Sequence, residues 1–244
     1  MSTSSDWPES IPSAGQLQPN RLLCWRVFSD QTSASWFAKF LQSLSHEEQL
    51  HAAAFRNPAD FRNYVIAHGS LRLILGNVLN HALVFTRNAT NKPQLADHPL
   101  QFNLSHSGDV ILIALSTEAA VGVDTEKLTR LGDRQTLQQD FFHPAEASEI
   151  NALPGACAEQ AFFKCWTRKE SVSKALGLGL ALPMDAYRVS CDPGTPARLI
   201  ELPNEDPALW TIFNLEPRPG YAGALAANKP GLTLSCRTLD TACG

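Results

Sequence analysis

Between Gln101 and Leu128 the chain packs apolar strands so closely that a sheet must form around them. The stretch QFNLSHS reaches Ser105 and His106, turns at Ser107-Gly108-Asp109 and returns through the continuous apolar run Val110 to Ser116. A turn that tight joins antiparallel neighbours. A further apolar strand, AVGVDTEKL from Ala120 to Leu128, ends by offering Asp124 and Glu126. With a side-chain period of two, these carboxylates share one face of the strand. Paired acids at a strand end repel unless a cation joins them; the plain alternative is that both face water.

A second chemical block is WTRKESVSKALGLGL, Trp166 to Leu180, a helical stretch carrying Glu170 and Lys174. Positions i and i+4 lie one turn apart on the same face. The pair can be an ordinary solvated salt bridge, or a carboxylate and an ammonium presented to a ligand. With Asp124 and Glu126, Glu170 could complete an all-oxygen site for a hard cation, which suits Mg²⁺ with retained waters.

The rest of the chain reads as α+β with mostly antiparallel sheets. Residues 1–20 are polar and rich in Ser and Pro, the composition of a loose tail. A strand is expected from Leu22 to Phe28. Ser45 with Glu48 forms a capping-box pattern for a helix through Ala54, and Pro58 opens a longer helix to Leu79. Strands follow near Leu83 to Thr86, Gln101 to His106, Val110 to Ser116 and Ala120 to Asp124. Helices near Pro144 to Ala152 and Ala158 to Leu176 then precede strands near Ala186 to Ser190, Leu199 to Leu202, Leu209 to Leu215 and Tyr221 to Ala227. A faint repeat, FRNYVIAHGSLRLILG from Phe61 against FKCWTRKESVSKALG from Phe163, points to related halves at 21–122 and 123–244.

Composition narrows the class without naming it. At 244 residues, with 44% apolar and 18% charged residues, the chain is expected to fold compactly. No run is apolar for long enough to span a bilayer, and the first residues lack a signal pattern, so a cytoplasmic location and no membrane partner are expected. The six cysteines form no CxxC pair, which favours reduced thiols. A net charge of -4 gives no general pull toward nucleic acid.

FNLSHS (Phe102 to Ser107), GVDTE (Gly122 to Glu126) and WTRKESVSKALGLGL, in that order, resemble the three motifs of the 4′-phosphopantetheinyl transferases of the Sfp-like, two-half type. Asn91-Lys92-Pro93 sits where that family has Gly-Lys-Pro. The resemblance covers most of the chain, from about Ser45 to Ala227. It implies two similar halves related by a pseudo-twofold, the active site in the cleft between them, and a monomer. It also implies Mg²⁺-dependent transfer of the phosphopantetheine arm of coenzyme A to a serine of an acyl, peptidyl or polyketide carrier protein, releasing adenosine 3′,5′-bisphosphate.

Carried over residue by residue, the resemblance makes Asp124, Glu126 and Glu170 the metal ligands. Glu170 also becomes the candidate base, directly or through a metal-bound water. Ser105 and His106 would contact the 3′-phosphate region, Arg87 and Lys92 the nucleotide end, and Lys174 the pyrophosphate. For Arg87 and Lys92 the plain alternative is a base in solvent. The family's usual basic positions are occupied by His51 and Glu48, a departure from its pattern. Carrier docking would fall on Lys127, Arg130, Arg134 and the Phe141-Phe142 pair, or those rings are simply core. Two rival readings share the same residues: a coenzyme A binding module without turnover, and a metal-dependent pyrophosphate hydrolase.

Overall fold

The structure, a computed structural model, describes residues 6–96, 98–129, 134–178 and 182–242. Strand β1 (Arg21–Phe28) leads into helices α1 (Ala34–Ser43), α2 (His46–Ala53) and α3 (Pro58–Leu79). Strands β2 (Phe85–Arg87), β3 (Pro93–Leu95), β4 (Gln101–Ser107), β5 (Val110–Ser116) and β6 (Val121–Lys127) follow. After α4 (Arg134–Phe141), α5 (Pro144–Asn151) and α6 (Gly155–Leu176), the chain closes with β7 (Arg188–Val189), β8 (Leu199–Glu201), β9 (Thr211–Leu215), β10 (Tyr221–Ala227) and β11 (Thr233–Thr238). The expected α+β class is what the structure has. No helix among the described residues is long and apolar enough to cross a membrane.

Two sheets form the centre, one ordered β11-β1-β5-β4 and the other β6-β10-β9. Their pairings are antiparallel except β1 with β11. Strand β5 is buried along its whole length because both its faces are covered. Ile111, Ile113 and Leu115 meet Val65, Ile66 and Ile74 of α3, while Val110, Leu112 and Ala114 meet Val121, Val123, Phe213 and Leu225 of the other sheet. On the far side of the second sheet, Ala158, Phe162, Cys165 and Val172 of α6 pack on Ile212, Ala222 and Ala226. The order is therefore helix, sheet, sheet, helix, with α3 and α6 of 22 residues each on the outside.

The rotation of α6 about its axis is fixed by charged groups that the apolar pattern hides. Lys169 and Glu146 are both fully buried and meet at 2.8 Å. The Lys169 ammonium also donates to the Tyr187 carbonyl at 2.6 Å, and Glu146 accepts from the Val189 amide at 2.7 Å. Arg168 donates through Nε to Asn214 at 2.9 Å and through Nη1 to the Ser190 carbonyl. These groups turn Glu170 and Lys174 toward β6. The approach is close because Gly122 has no side chain: a Cβ there would lie 2.1 Å from the Ser171 oxygen and 2.4 Å from the Ala175 nitrogen.

Several expectations need correction. From Asp6 onward the N-terminal segment is not loose: Trp7 is buried, and the Thr238 hydroxyl donates to the Trp7 carbonyl at 2.7 Å. Residues 1–5 lie outside the described residues. The division at 122/123 falls inside β6, and β11 crosses back to pair with β1, so the last strand belongs to the first sheet. Helices α1 and α4 and strands β3 and β11 were not expected. The capping box at Ser45 is present, with Glu48 bonded to the Ser45 amide at 2.7 Å. Cys24, Cys157, Cys165, Cys191 and Cys236 are free thiols; Cys243 lies outside the described residues.

Candidate active site

Strands β4 and β6 are the edges of their sheets, and they face one another across the seam between the halves. Side chains of β4 do the work that backbone pairing does elsewhere. Asn103 Oδ1 accepts the Val123 amide at 2.9 Å, Ser105 Oγ donates to Asp124 Oδ1 at 2.9 Å, and Ser107 Oγ donates to Glu126 Oε2 at 2.8 Å. The period of two along each strand sets these contacts in register. Sequence reasoning missed Asn103 and Ser107, although the alternation Asn103, Ser105, Ser107 is a polar face in plain view.

Helix α6 closes the seam from above. Lys174 Nζ lies 2.6 Å from Asp124 Oδ1 and donates to Ser105 Oγ at 3.1 Å. The i+4 ion pair with Glu170 is absent among the described residues: Lys174 turns to the strand instead. Asp124 is 3% exposed, and its Oδ2 is buried with no partner. Burial raises the Asp124 pKa, against the opposing pull of Lys174 and Ser105. Glu126 is raised by burial and by the charges of Asp124 and Glu170, and Glu170 by burial and Asp124. Glu126 and Glu170 thus both feel the charge of Asp124, and Glu126 also that of Glu170.

That donor set fits a hard cation. Asp124 Oδ2 has no hydrogen-bond partner, and the repulsion that Glu126 feels from Asp124 and Glu170 is what a divalent ion would relieve. Among the described residues, only Glu146, Cys165 and Cys191 bring three potential ligand atoms within 4.8 Å. Glu146 is already engaged by Lys169, the Val189 amide and the His143 amide. That buried trio is therefore structural. The carboxylate oxygens of Asp124, Glu126 and Glu170 do not all come within 4.8 Å of one another.

The remaining expected residues separate. Ser105 is buried and gives its hydroxyl to Asp124. His106, on the opposite face of β4, reaches the exposed surface. Crowding by surrounding protein pushes its pKa down, helped by His68 and Lys174. Arg87 is exposed and donates to the Asn91 carbonyl at 3.1 Å. Lys92 differs from expectation most: its Nζ donates to the carbonyls of Val121 (3.1 Å), Lys174 (2.7 Å) and Ala175 (3.3 Å). An ammonium has three donors, so none remains for a nucleotide. Burial lowers its pKa to about 8.

At the helical rim, His51 packs against Phe55 and Tyr64, and Tyr64 stacks on His68 at 4.0 Å. Glu48, where a base was the family expectation, is neutralised by Arg72 at 2.7 Å and lies 3.6 Å from His68. The rim thus draws His51 from α2 and His68 and Arg72 from α3. Of the expected docking residues, Lys127 is exposed, with Asp109 at 3.9 Å. Phe141 is partly exposed against Trp166, whereas Phe142 is core, stacked on Phe162 at 5.0 Å. Arg130 and the side chain of Arg134 lie outside the described residues, as do Gly179 and Leu180.

Comparison with known proteins gives one family for both parts of the chain. Residues 120–226 match the 4′-phosphopantetheinyl transferase superfamily, and residues 29–118 match the family of 4′-phosphopantetheinyl transferase N-terminal regions. The chain is 32% identical to the 4′-phosphopantetheinyl transferase HetI of Nostoc sp., over 83% of this chain and 85% of HetI. It is 29% identical to the 4′-phosphopantetheinyl transferase Sfp of Bacillus subtilis, over 77% and 88%, and 28% identical to gsp of Aneurinibacillus migulanus, over 75% and 76%. The two matched regions meet at the seam where β4, β6 and α6 gather their polar groups, and the chain belongs to the 4′-phosphopantetheinyl transferases, Sfp-like type.

Proposed function

We propose that this enzyme moves the 4′-phosphopantetheine arm of coenzyme A to a serine of an apo carrier protein, with Mg²⁺ and with release of adenosine 3′,5′-bisphosphate. The observation that carries the reading is the buried, unpartnered Asp124 Oδ2 beside Glu126 and Glu170, with the Lys174 ammonium on Asp124 Oδ1. Asp124, Glu126 and Glu170 would hold the cation, which supplies charge neutralisation to pyrophosphate oxygens when bound.

The chain's own groups do the rest. Displacement at phosphorus needs positioning and charge stabilisation more than covalent chemistry. Lys174 gives one donor to Asp124 and one to Ser105, leaving its third for the pyrophosphate. His106 and Arg87 are both exposed and are the donors assigned to the 3′-phosphate and nucleotide end. Glu170 accepts the proton of the carrier serine. It does so directly or through a water at the cation site, because a carboxylate that also holds a cation is a weakened base.

The test is incubation with coenzyme A, Mg²⁺ and several apo carriers, each carrier then weighed by mass spectrometry. A gain of one phosphopantetheine, abolished by a chelator, is the expected result. No gain on any carrier refutes the reading. Free phosphopantetheine released without a carrier would favour hydrolysis instead.

A further inference from the structure

The last carbonyls of a helix have no partner within the helix, and the negative end of its dipole favours a cation. At the end of α6 that cation comes from the other half of the molecule. Lys92 Nζ bonds the carbonyls of Lys174 and Ala175 and also that of Val121, the first residue of β6. One ammonium therefore grips the backbone of both elements that build the site, from the β2–β3 turn. The carbonyl it holds at 2.7 Å belongs to the residue whose own Nζ reaches Asp124.

The turn that delivers it is stiffened in advance. Asn88 Oδ1 accepts from the Lys92 amide at 2.8 Å, the Thr90 amide at 3.0 Å and the Thr90 hydroxyl at 2.9 Å. Asn91 takes the left-handed conformation, φ 70°, which Asn tolerates better than most residues. The Thr90 hydroxyl also contacts the Gly177 carbonyl. Gly177, at φ 65°, lets the lysine stem pass: a Cβ there would lie 3.1 Å from Lys92 Cδ.

We propose that Lys92 is a positioning residue, locking the C-terminal end of α6 to β6 and the N-terminal half and so setting where Lys174 and Glu170 stand; this rests on the transferase reading above. It acts through other residues and does not touch the substrate. A nucleotide contact would make affinity for coenzyme A the quantity that suffers on its removal. A positioning role makes turnover suffer, because displacement of catalytic groups by about 1 Å costs up to about 100-fold in rate.

The experiment compares wild type, Lys92→Met, Thr90→Val and the double variant in three measurements. These are steady-state transfer to an apo carrier, coenzyme A affinity by calorimetry, and hydrogen exchange of the amides at residues 175–178. Lys92→Met is expected to lower kcat by about tenfold or more, hold affinity within about twofold, and speed exchange at the helix end. The double variant should lose less than the product of the single losses, since both side chains hold one helix end. Weakened affinity with unchanged kcat and unchanged exchange would overturn the proposal. If wild type transfers nothing to any carrier, the functional reading fails first, and unchanged exchange in Lys92→Met would then overturn the tether by itself.

Discussion

Gly122 is the position where the seating of α6 can be tested with one methyl group. In Gly122→Ala the new Cβ would stand 2.1 Å from the Ser171 oxygen, 2.4 Å from the Ala175 nitrogen and 2.9 Å from the Lys174 carbonyl carbon. All are backbone atoms of one helix, so no rotamer change relieves the clash. The helix must retreat by roughly 1 Å to restore ordinary contact. Overpacking of this kind costs about 1–3 kcal/mol, and the same retreat carries Glu170 and Lys174 away from Asp124. A shift of that size is worth up to about 100-fold in rate. The assay pairs urea unfolding with carrier modification followed by mass. The expected outcome is a lower midpoint at unchanged m-value, with a loss of kcat larger than the stability loss explains at assay temperature. A variant with wild-type midpoint and wild-type kcat would refute the claim that the close approach at Gly122 sets the site.

Glu170→Gln keeps size and polarity but cannot accept the serine proton, so turnover should fall far more than coenzyme A affinity; equal losses in both would remove the base role. Lys169→Met leaves Glu146 charged and buried without its ammonium, and breaking such a pair costs about 3–5 kcal/mol, read as a fall in thermal or urea stability. For Glu48, burial works to raise the carboxyl pKa, but hydrogen bonds from His68, Arg72 and the Ser45 amide hold it down to about 2. Its contribution to stability is therefore complete above the unfolded carboxylate value and is lost as pH falls toward 2. Arg72→Met should raise the Glu48 pKa and shrink the acid-limb loss; an unchanged acid limb by pH-dependent unfolding would count against the pairing.

Much of this arrangement could be read from residues because the physics was local. The runs Val110 to Ser116 and Tyr221 to Ala227 are apolar throughout since both faces of β5 and β10 are covered, and their bounds were found to the residue. The period of two put Asp124 and Glu126 on one face, and they are so placed. The same period puts Ser105 and His106 on opposite faces of β4, the first buried and the second exposed. Helix α1 carries a legible start in Ser33, whose side chain accepts the Trp36 amide. Strand β11 alternates apolar and polar residues from Leu232 to Arg237, but its partner is not legible locally: Thr233 to Thr238 meets β1, more than half the chain away. Lys92 likewise looks like any loop base until the end of α6 is placed beside it.

The partner chosen by Lys174 decides what Glu170 can do. Had the i+4 pair formed, an adjacent ammonium would hold Glu170 well below the ordinary carboxylate range and leave it a poor base. Instead Lys174 lies on Asp124, the most buried acid of the set, where a positive charge is most needed. Burial then raises Glu170, with Lys174 too far for a contact and only partly offsetting it. The choice is enforced from both sides. Ser105 adds a second acceptor for the ammonium beside Asp124, and Lys92 fixes the backbone from which Lys174 reaches. Two residues that share a helix face thus diverge: Lys174 neutralises the buried Asp124, while Glu170 forms no ion pair with it among the described residues.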